Sequence, residues 1–144
     1  MSDSFFLDTN IFIYMFDTTS PTKAARASAL VREGIESGNG RISYQVIQEF
    51  FSASAKPNLC PLNAIESAVF LVQVLEPLLA VQSSVSLFAS TLLHRESRKL
   101  SWYDALIVAA ALEAGCSIIY SEDFQHGQQF GRLRVVNPFL QTAA

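Results

Sequence analysis

Ser4-Phe5-Phe6-Leu7-Asp8-Thr9-Asn10 is the stretch on which the reading of the fold turns. An apolar, aromatic run this short is that of a strand buried on both faces, and the polar triplet after it ends the strand in a turn. Asp8 thus stands at the carboxyl end of a buried strand. A second run of the same kind, Cys116-Ser117-Ile118-Ile119-Tyr120, delivers Ser121-Glu122-Asp123. Between the two runs the spacing of apolar residues is helical. A short helical stretch covers about Ile11 to Phe16. A longer one begins after Ser20-Pro21, where proline suits a first helical position, and stops at Gly38-Asn39-Gly40, with Ala24, Ala27, Val31 and Ile35 as its stripe. Arg41-Ile42-Ser43 reads as a small strand, and Tyr44 to Ala55 is helical again before the loop that holds Pro57 and Pro61. Asn63-Ala64-Ile65-Glu66 is a capping box opening a helix to about Leu75, Leu78 to Val81 is a minor strand, and Ser84 caps a helix to about Ser97. Ser101-Trp102-Tyr103-Asp104 opens a helix hydrophobic all round, which belongs in the middle of the molecule, and Gly115 ends it. Arg132 to Val136 is a last strand, stopped by Asn137-Pro138. Strands alternating with helices predict an α/β domain with a mainly parallel sheet.

The 144 residues make one compact domain, 1–144, long enough to bury a core without disulfides or a structural metal. Half are hydrophobic and 16% are charged, against roughly 25% charged in an ordinary soluble domain. Apolar surface is therefore expected to remain for a partner, and a homodimer or a stable complex follows. No apolar run approaches the ~18 residues of a membrane span, and the N-terminus has no secretory pattern. A cytoplasmic protein is the expectation. Cys60 and Cys116 lack metal-site and redox spacings and read as reduced, packed thiols. A net charge of -3 excludes nucleic-acid binding through a global positive field, so any such role rests on a local site.

Four carboxylates stand where a charge is costly unless something uses it. Asp8 and Asp123 follow buried strands, and ligands of open parallel sheets bind at the strands' carboxyl ends. Taken singly, each reads first as a helix cap or a turn residue. Glu49 has Val46, Phe50 and Ala53 as helical neighbours, which puts a carboxylate within an apolar stripe. Burial against an arginine, or a place at the edge of the surface, is its structural alternative. Asp104 fits a capping box begun by Ser101, yet it opens a buried helix. Carboxylates brought together repel and raise one another's pKa unless a cation neutralises them. Oxygen-only ligands suit Mg²⁺ or Mn²⁺, whose shell is completed by water and substrate phosphates, and that points to phosphodiester chemistry.

Asp8-Thr9-Asn10, Ile42-Ser43 through Gln48-Glu49-Phe50, Tyr103-Asp104-Ala105 and Ser121-Glu122-Asp123-Phe124, taken in order, resemble the PIN-domain ribonucleases, in particular the VapC-like toxins of bacterial toxin-antitoxin pairs. The resemblance runs from Phe5 to Asn137-Pro138-Phe139. It implies a three-layer α/β fold, a mainly parallel five-stranded sheet with helices on both faces. It further implies a metal-dependent hydrolase acting on RNA, and an antitoxin that blocks the site. Carried over by position, the acidic quartet falls on Asp8, Glu49, Asp104 and Asp123, with Asn10 and Ser121 supporting and Glu122 competing with Asp123.

The one dense basic cluster is Arg95, Arg98 and Lys99 beside His94. It is the candidate RNA contact, though a solvated helix end favourable to the dipole is the stronger reading of it. Trp102 and Tyr103 are candidates for stacking on bases, against the commoner role of aromatics in a core. His126, in a Gly-containing loop, reads as surface. Two rivals share part of this pattern: a catalytically inactive PIN-like module that only binds RNA or a partner, and an aspartate-based phosphotransfer domain. The latter lacks a second Asp two residues after Asp8 and a Lys in Cys116 to Tyr120.

Overall fold

A computed structural model describes residues 3–56 and 59–140, so Pro57 lies outside the described residues. Strand β1 (Phe5–Leu7) is buried at every position and lies parallel between β2 (Gly40–Ser43) and β4 (Ile118–Tyr120). Strand β3 (Leu79–Val81) extends the sheet beyond β2, and β6 (Leu133–Val136) extends it beyond β4, both parallel. The five parallel strands expected from the resemblance are all present. A sixth, β5 (Gln129–Phe130), pairs antiparallel with β6 and closes the order β3-β2-β1-β4-β6-β5. Two residues leave no readable periodicity, which is why β5 has no signal in the sequence.

Helices cover both faces as α1 (Thr9–Tyr14), α2 (Pro21–Ser37), α3 (Tyr44–Ser54), α4 (Ala64–Phe70), α5 (Glu76–Leu78), α6 (Val85–Arg98) and α7 (Trp102–Glu113). The caps read from sequence close as hydrogen bonds. Asn63 and Glu66 form a reciprocal capping box, the Ser84 side chain accepts from Leu87 N, and Ser101 accepts from Asp104 N. Lys99 and Gly115 adopt left-handed backbone past the ends of α6 and α7. The helix opened by Asn63 is not uniform, because α4 passes through a π-helical stretch, Leu71–Leu75, into α5. Helix α7 is buried without interruption from Ala105 to Ala111, as a helix with no polar face requires.

On α2 the buried residues are Ala27, Leu30, Val31 and Gly34, whereas Ala24 and Ile35 of the expected stripe are only partly buried. The cause is a close approach of backbones. A Cβ on Gly40 would stand 2.6 Å from the Gly34 Cα, so two glycines let α2 settle onto β2. Both cysteines are free and buried, and burial pushes the Cys116 thiol up to about 12. Among the described residues no helix is long and apolar enough to cross a membrane.

Candidate active site

The chain runs from β1 outward to β2 and β3, then crosses back to place β4 on the other side of β1. The carboxyl ends of β1 and β4 therefore flank a switch point, where an open parallel sheet leaves a crevice. Asp8 and Ser121 come immediately after these strands, with Leu7 and Tyr120 in register. The backbone N–H of Asp8 donates to the Tyr120 carbonyl at 3.1 Å.

Asp8 is 3% exposed. Its Oδ1 accepts the Thr9 N–H at 2.8 Å, the capping role expected of an Asp at a helix start. Its Oδ2 accepts the Ser121 hydroxyl at 2.6 Å, which capping does not require. Ser121 Oγ in turn accepts the Asp123 N–H at 3.0 Å, so one hydroxyl joins the two acidic loops. Burial above all raises the Asp8 carboxyl to about 7. The charges of Asp123 and Glu49 add to the rise, and the bonds from Ser121 and Thr9 oppose it.

Asp123 is more open. Partial burial and the charges of Asp104 and Glu122 raise its carboxyl, and the neighbouring Asn10 amide favours the charged form. That amide closes no hydrogen bond of good geometry, and both its polar atoms are buried unpartnered. Glu122, the competitor for the fourth position, turns elsewhere. Its Oε1 accepts the Tyr14 hydroxyl at 2.5 Å, its Oε2 pairs with Lys23 Nζ at 3.1 Å, and the Lys23 ammonium stands 4.6 Å from the Tyr14 ring centre.

Glu49 is held by two donors absent from the expected set. Thr9 Oγ1 donates to Oε1 at 2.7 Å, and Gln45 Nε2 donates to Oε2 at 3.3 Å. It stands half-buried on the cleft wall beside Gln45 and Ser52, and not within the apolar stripe that its helical neighbours suggested. Gln45 Nε2 also donates to the Tyr103 carbonyl at 3.1 Å, which ties α3 to the start of α7 beside Asp104. Gln45 lies four residues before Glu49, a helical spacing that signals contact. Lys56, seven residues after Glu49 and just past the end of α3, falls on the same face by the same spacing, a signal that the sequence reading did not use.

Thr9, Asn10, Glu49, Ser52, Lys56 and Asp123 line an open cleft of about 410 Å³. Arg95, Arg98 and Lys99 are not among the residues lining it. The Arg95 guanidinium lies 5.6 Å from the Trp102 ring centre and that of Arg98 lies 5.2 Å from the Phe130 ring centre, while Lys99 caps α6. His126 accepts the Asn137 N–H through Nδ1 at 3.1 Å and staples its loop.

Asp8 is electrostatically linked to Asp123 and Glu49, and Asp123 to Asp104. Among the described residues, no three His, Cys, Asp or Glu side chains are grouped so as to hold a metal ion. The donor chemistry still fits Mg²⁺ or Mn²⁺, since magnesium commonly takes one or two carboxylates and completes its shell with water and phosphate. Asp8, Asp123 and the unpartnered Asn10 amide offer oxygen ligands only.

The family model described as the PIN domain matches residues 5–129. No curated protein matches the sequence significantly. Mycobacterium tuberculosis VapC20, a sarcin-ricin loop cleaving toxin, is similar at 17% identity and a TM-score of 0.57, over 83% of this chain and 90% of that one. The FitAB complex bound to an IR36 DNA fragment matches at 19% identity and a TM-score of 0.66, over 96% and 98%. VapBC2 from Rickettsia felis, bound to a fragment of its promoter DNA, matches at 16% and 0.58, over 91% and 96%. At these identities the structural likeness concerns the fold.

Proposed function

The chain belongs to the PIN domain family, and from that premise we propose that it is a Mg²⁺- or Mn²⁺-dependent ribonuclease, the toxin of a toxin-antitoxin pair. In this reading residues 1–144 act as one cytoplasmic domain that forms a homodimer and is silenced by a cognate antitoxin. The observation that carries it is the joining of Asp8 to Asp123 through Ser121 at the switch point. A capping aspartate satisfies backbone N–H groups and does not need to be 3% exposed with its carboxyl raised to about 7.

Asp8 and Asp123 would hold the ion, with Asn10 beside them. When bound, the ion supplies charge neutralisation at the phosphate and acidifies water for attack. The chain's own residues prepare the rest. Ser121 fixes the Asp8 carboxylate, and Thr9 and Gln45 fix Glu49 on the cleft wall, where it can orient or deprotonate a water. Asp104 adds negative charge near Asp123. Lys56 lines the cleft and is placed to neutralise a backbone phosphate, a local answer to the chain's negative balance. Arg95, Arg98 and Lys99 remain a second, more distal RNA contact in this reading.

One observation favours the alternative of a non-cleaving PIN-like module, namely that no three acids close on one point among the described residues. A single assay separates the two. Purified protein is expected to cut single-stranded RNA with Mg²⁺ or Mn²⁺, to stop in excess chelator, and to work poorly with Ca²⁺, which prefers longer bonds and more ligands. RNA binding without cutting under any of these ions would establish the module instead.

A further inference from the structure

The cleft does not end at the acids. Glu49 and Ser52 also line a second recess of about 240 Å³, shared with Gln45, Gln48 and Tyr103. Gln45, Glu49, Ser52 and Lys56 follow one another at helical spacing, so the two recesses form one groove along α3. It runs from Lys56, just past the end of α3, to Tyr103 at the start of α7. The two neighbouring aromatics at the start of α7 differ sharply. Trp102 packs on Phe88 and lies against the Arg95 guanidinium. Tyr103 is 64% exposed, and among the described residues its ring meets no other ring and no cation.

We propose that Tyr103 is the stacking platform for one unpaired base of a single-stranded RNA whose adjoining phosphate lies in the acidic cleft. This rests on the ribonuclease reading. An aromatic face joined by a continuous groove to a phosphate-handling cleft is how single strands are held without sequence readout. The walls beside the ring are amides rather than aliphatic groups. Gln48 is exposed beside the ring, whereas Gln45, 3% exposed, has its Oε1 buried and its Nε2 held by Glu49 and the Tyr103 carbonyl, so the base-facing amide is that of Gln48. Amides offer a base edge both a donor and an acceptor. Because Tyr103 is exposed and its contact to Gln45 uses the backbone carbonyl, replacing its side chain leaves the fold and Glu49 in place.

The test pairs substitutions in protein and RNA. Short single-stranded RNAs carrying one abasic nucleotide at successive positions near the cut are compared with the intact strand, using wild type, Y103F, Y103W and Y103A. On intact RNA, Y103A is expected to raise KM about tenfold with kcat within a few-fold, while Y103F and Y103W hold the wild-type value. One abasic position should penalise wild type by a similar factor and Y103A not at all. An unchanged KM for Y103A, or an abasic penalty that persists in it, overturns the inference. The same holds if Y103A loses a protein partner while RNA affinity stays constant. Quenching of 2-aminopurine RNA by an Asp8→Asn protein reads the platform without cleavage. Tyr103-dependent quenching by a protein whose wild type cuts nothing would sink the ribonuclease reading and leave the platform standing.

Discussion

Asp8 makes two side-chain bonds, and only one of them is explained by its place in the chain. The turn-former expected from its place after a strand is there, in the bond to Thr9. What no local pattern announces is the second bond, to Ser121, because that residue is 113 positions away. The raised carboxyl has a consequence for stability whose sign is fixed. The folded value of about 7 lies above the reference 3.8, so the metal-free fold binds a proton that the unfolded chain gives up. That contribution is complete below about pH 4 and is lost as pH rises through about 7. Asp8→Asn retains an acceptor for the Thr9 N–H and removes the charge. In chelator at pH 8 it is expected to be more stable than wild type by about 1–3 kcal/mol, with the gap closing toward pH 4. Denaturant unfolding at the two pH values measures this, and a variant less stable at pH 8 would reduce Asp8 to a cap. The same protein should not cut RNA. Glu122 and Asp123 are adjacent and chemically alike, so sequence alone leaves them interchangeable. Tyr14 and Lys23, from the first helices, separate them by drawing Glu122 aside. Glu122→Gln, which still accepts the Tyr14 hydroxyl, is expected to keep cleavage within a few-fold of wild type, and Asp123→Asn to abolish it. Equal losses in a side-by-side rate measurement would mean that Glu122 shares the work.

Among the elements, the ones that frame the site were the most legible. Strands β1 and β4 announced themselves as apolar runs, and the caps at Asn63, Ser84 and Ser101 fixed three helix starts. Leu71-Val72-Gln73-Val74-Leu75 reads like any helix, and nothing in residue type marks the extra residue per turn that makes it a π stretch. The orientation of α2 was legible only approximately, since Leu30 and Val31 face the core but the glycine contact at Gly34 leaves Ala24 and Ile35 only partly buried. Gly40→Ala tests that contact. Its new methyl would meet the Gly34 Cα at 2.6 Å and a Leu78 methyl at 2.8 Å, and backbone cannot yield as a side chain does. A loss of about 2–3 kcal/mol in denaturant unfolding is expected. Gly34→Ala, whose nearest contact would be 3.1 Å, should cost less. If Gly40→Ala is as stable as wild type, α2 does not owe its position to the glycine pair.

At the scale of the whole molecule, the low charged fraction leaves apolar side chains outside. Ile65, Val69 and Val72 are exposed along α4 and its π continuation, and Val85 and Leu93 along α6. Light scattering at micromolar concentration is therefore expected to give a mass above the 15.8 kDa of one chain. A monomeric mass without a partner would count against it. The seam between β1 and β4 has a last consequence, for the time at which such an enzyme becomes dangerous. A ribosome releases Asp8 into the cell early and the turn after β4 late, and the hydroxyl that joins Asp8 to Asp123 belongs to that late segment. Pairing across so long a loop is slow and comes after local helices have formed. Under the proposed activity, a nascent chain is thus unarmed until Ser121 has been made, and translation that aborts before that residue releases a fragment with no weapon in it.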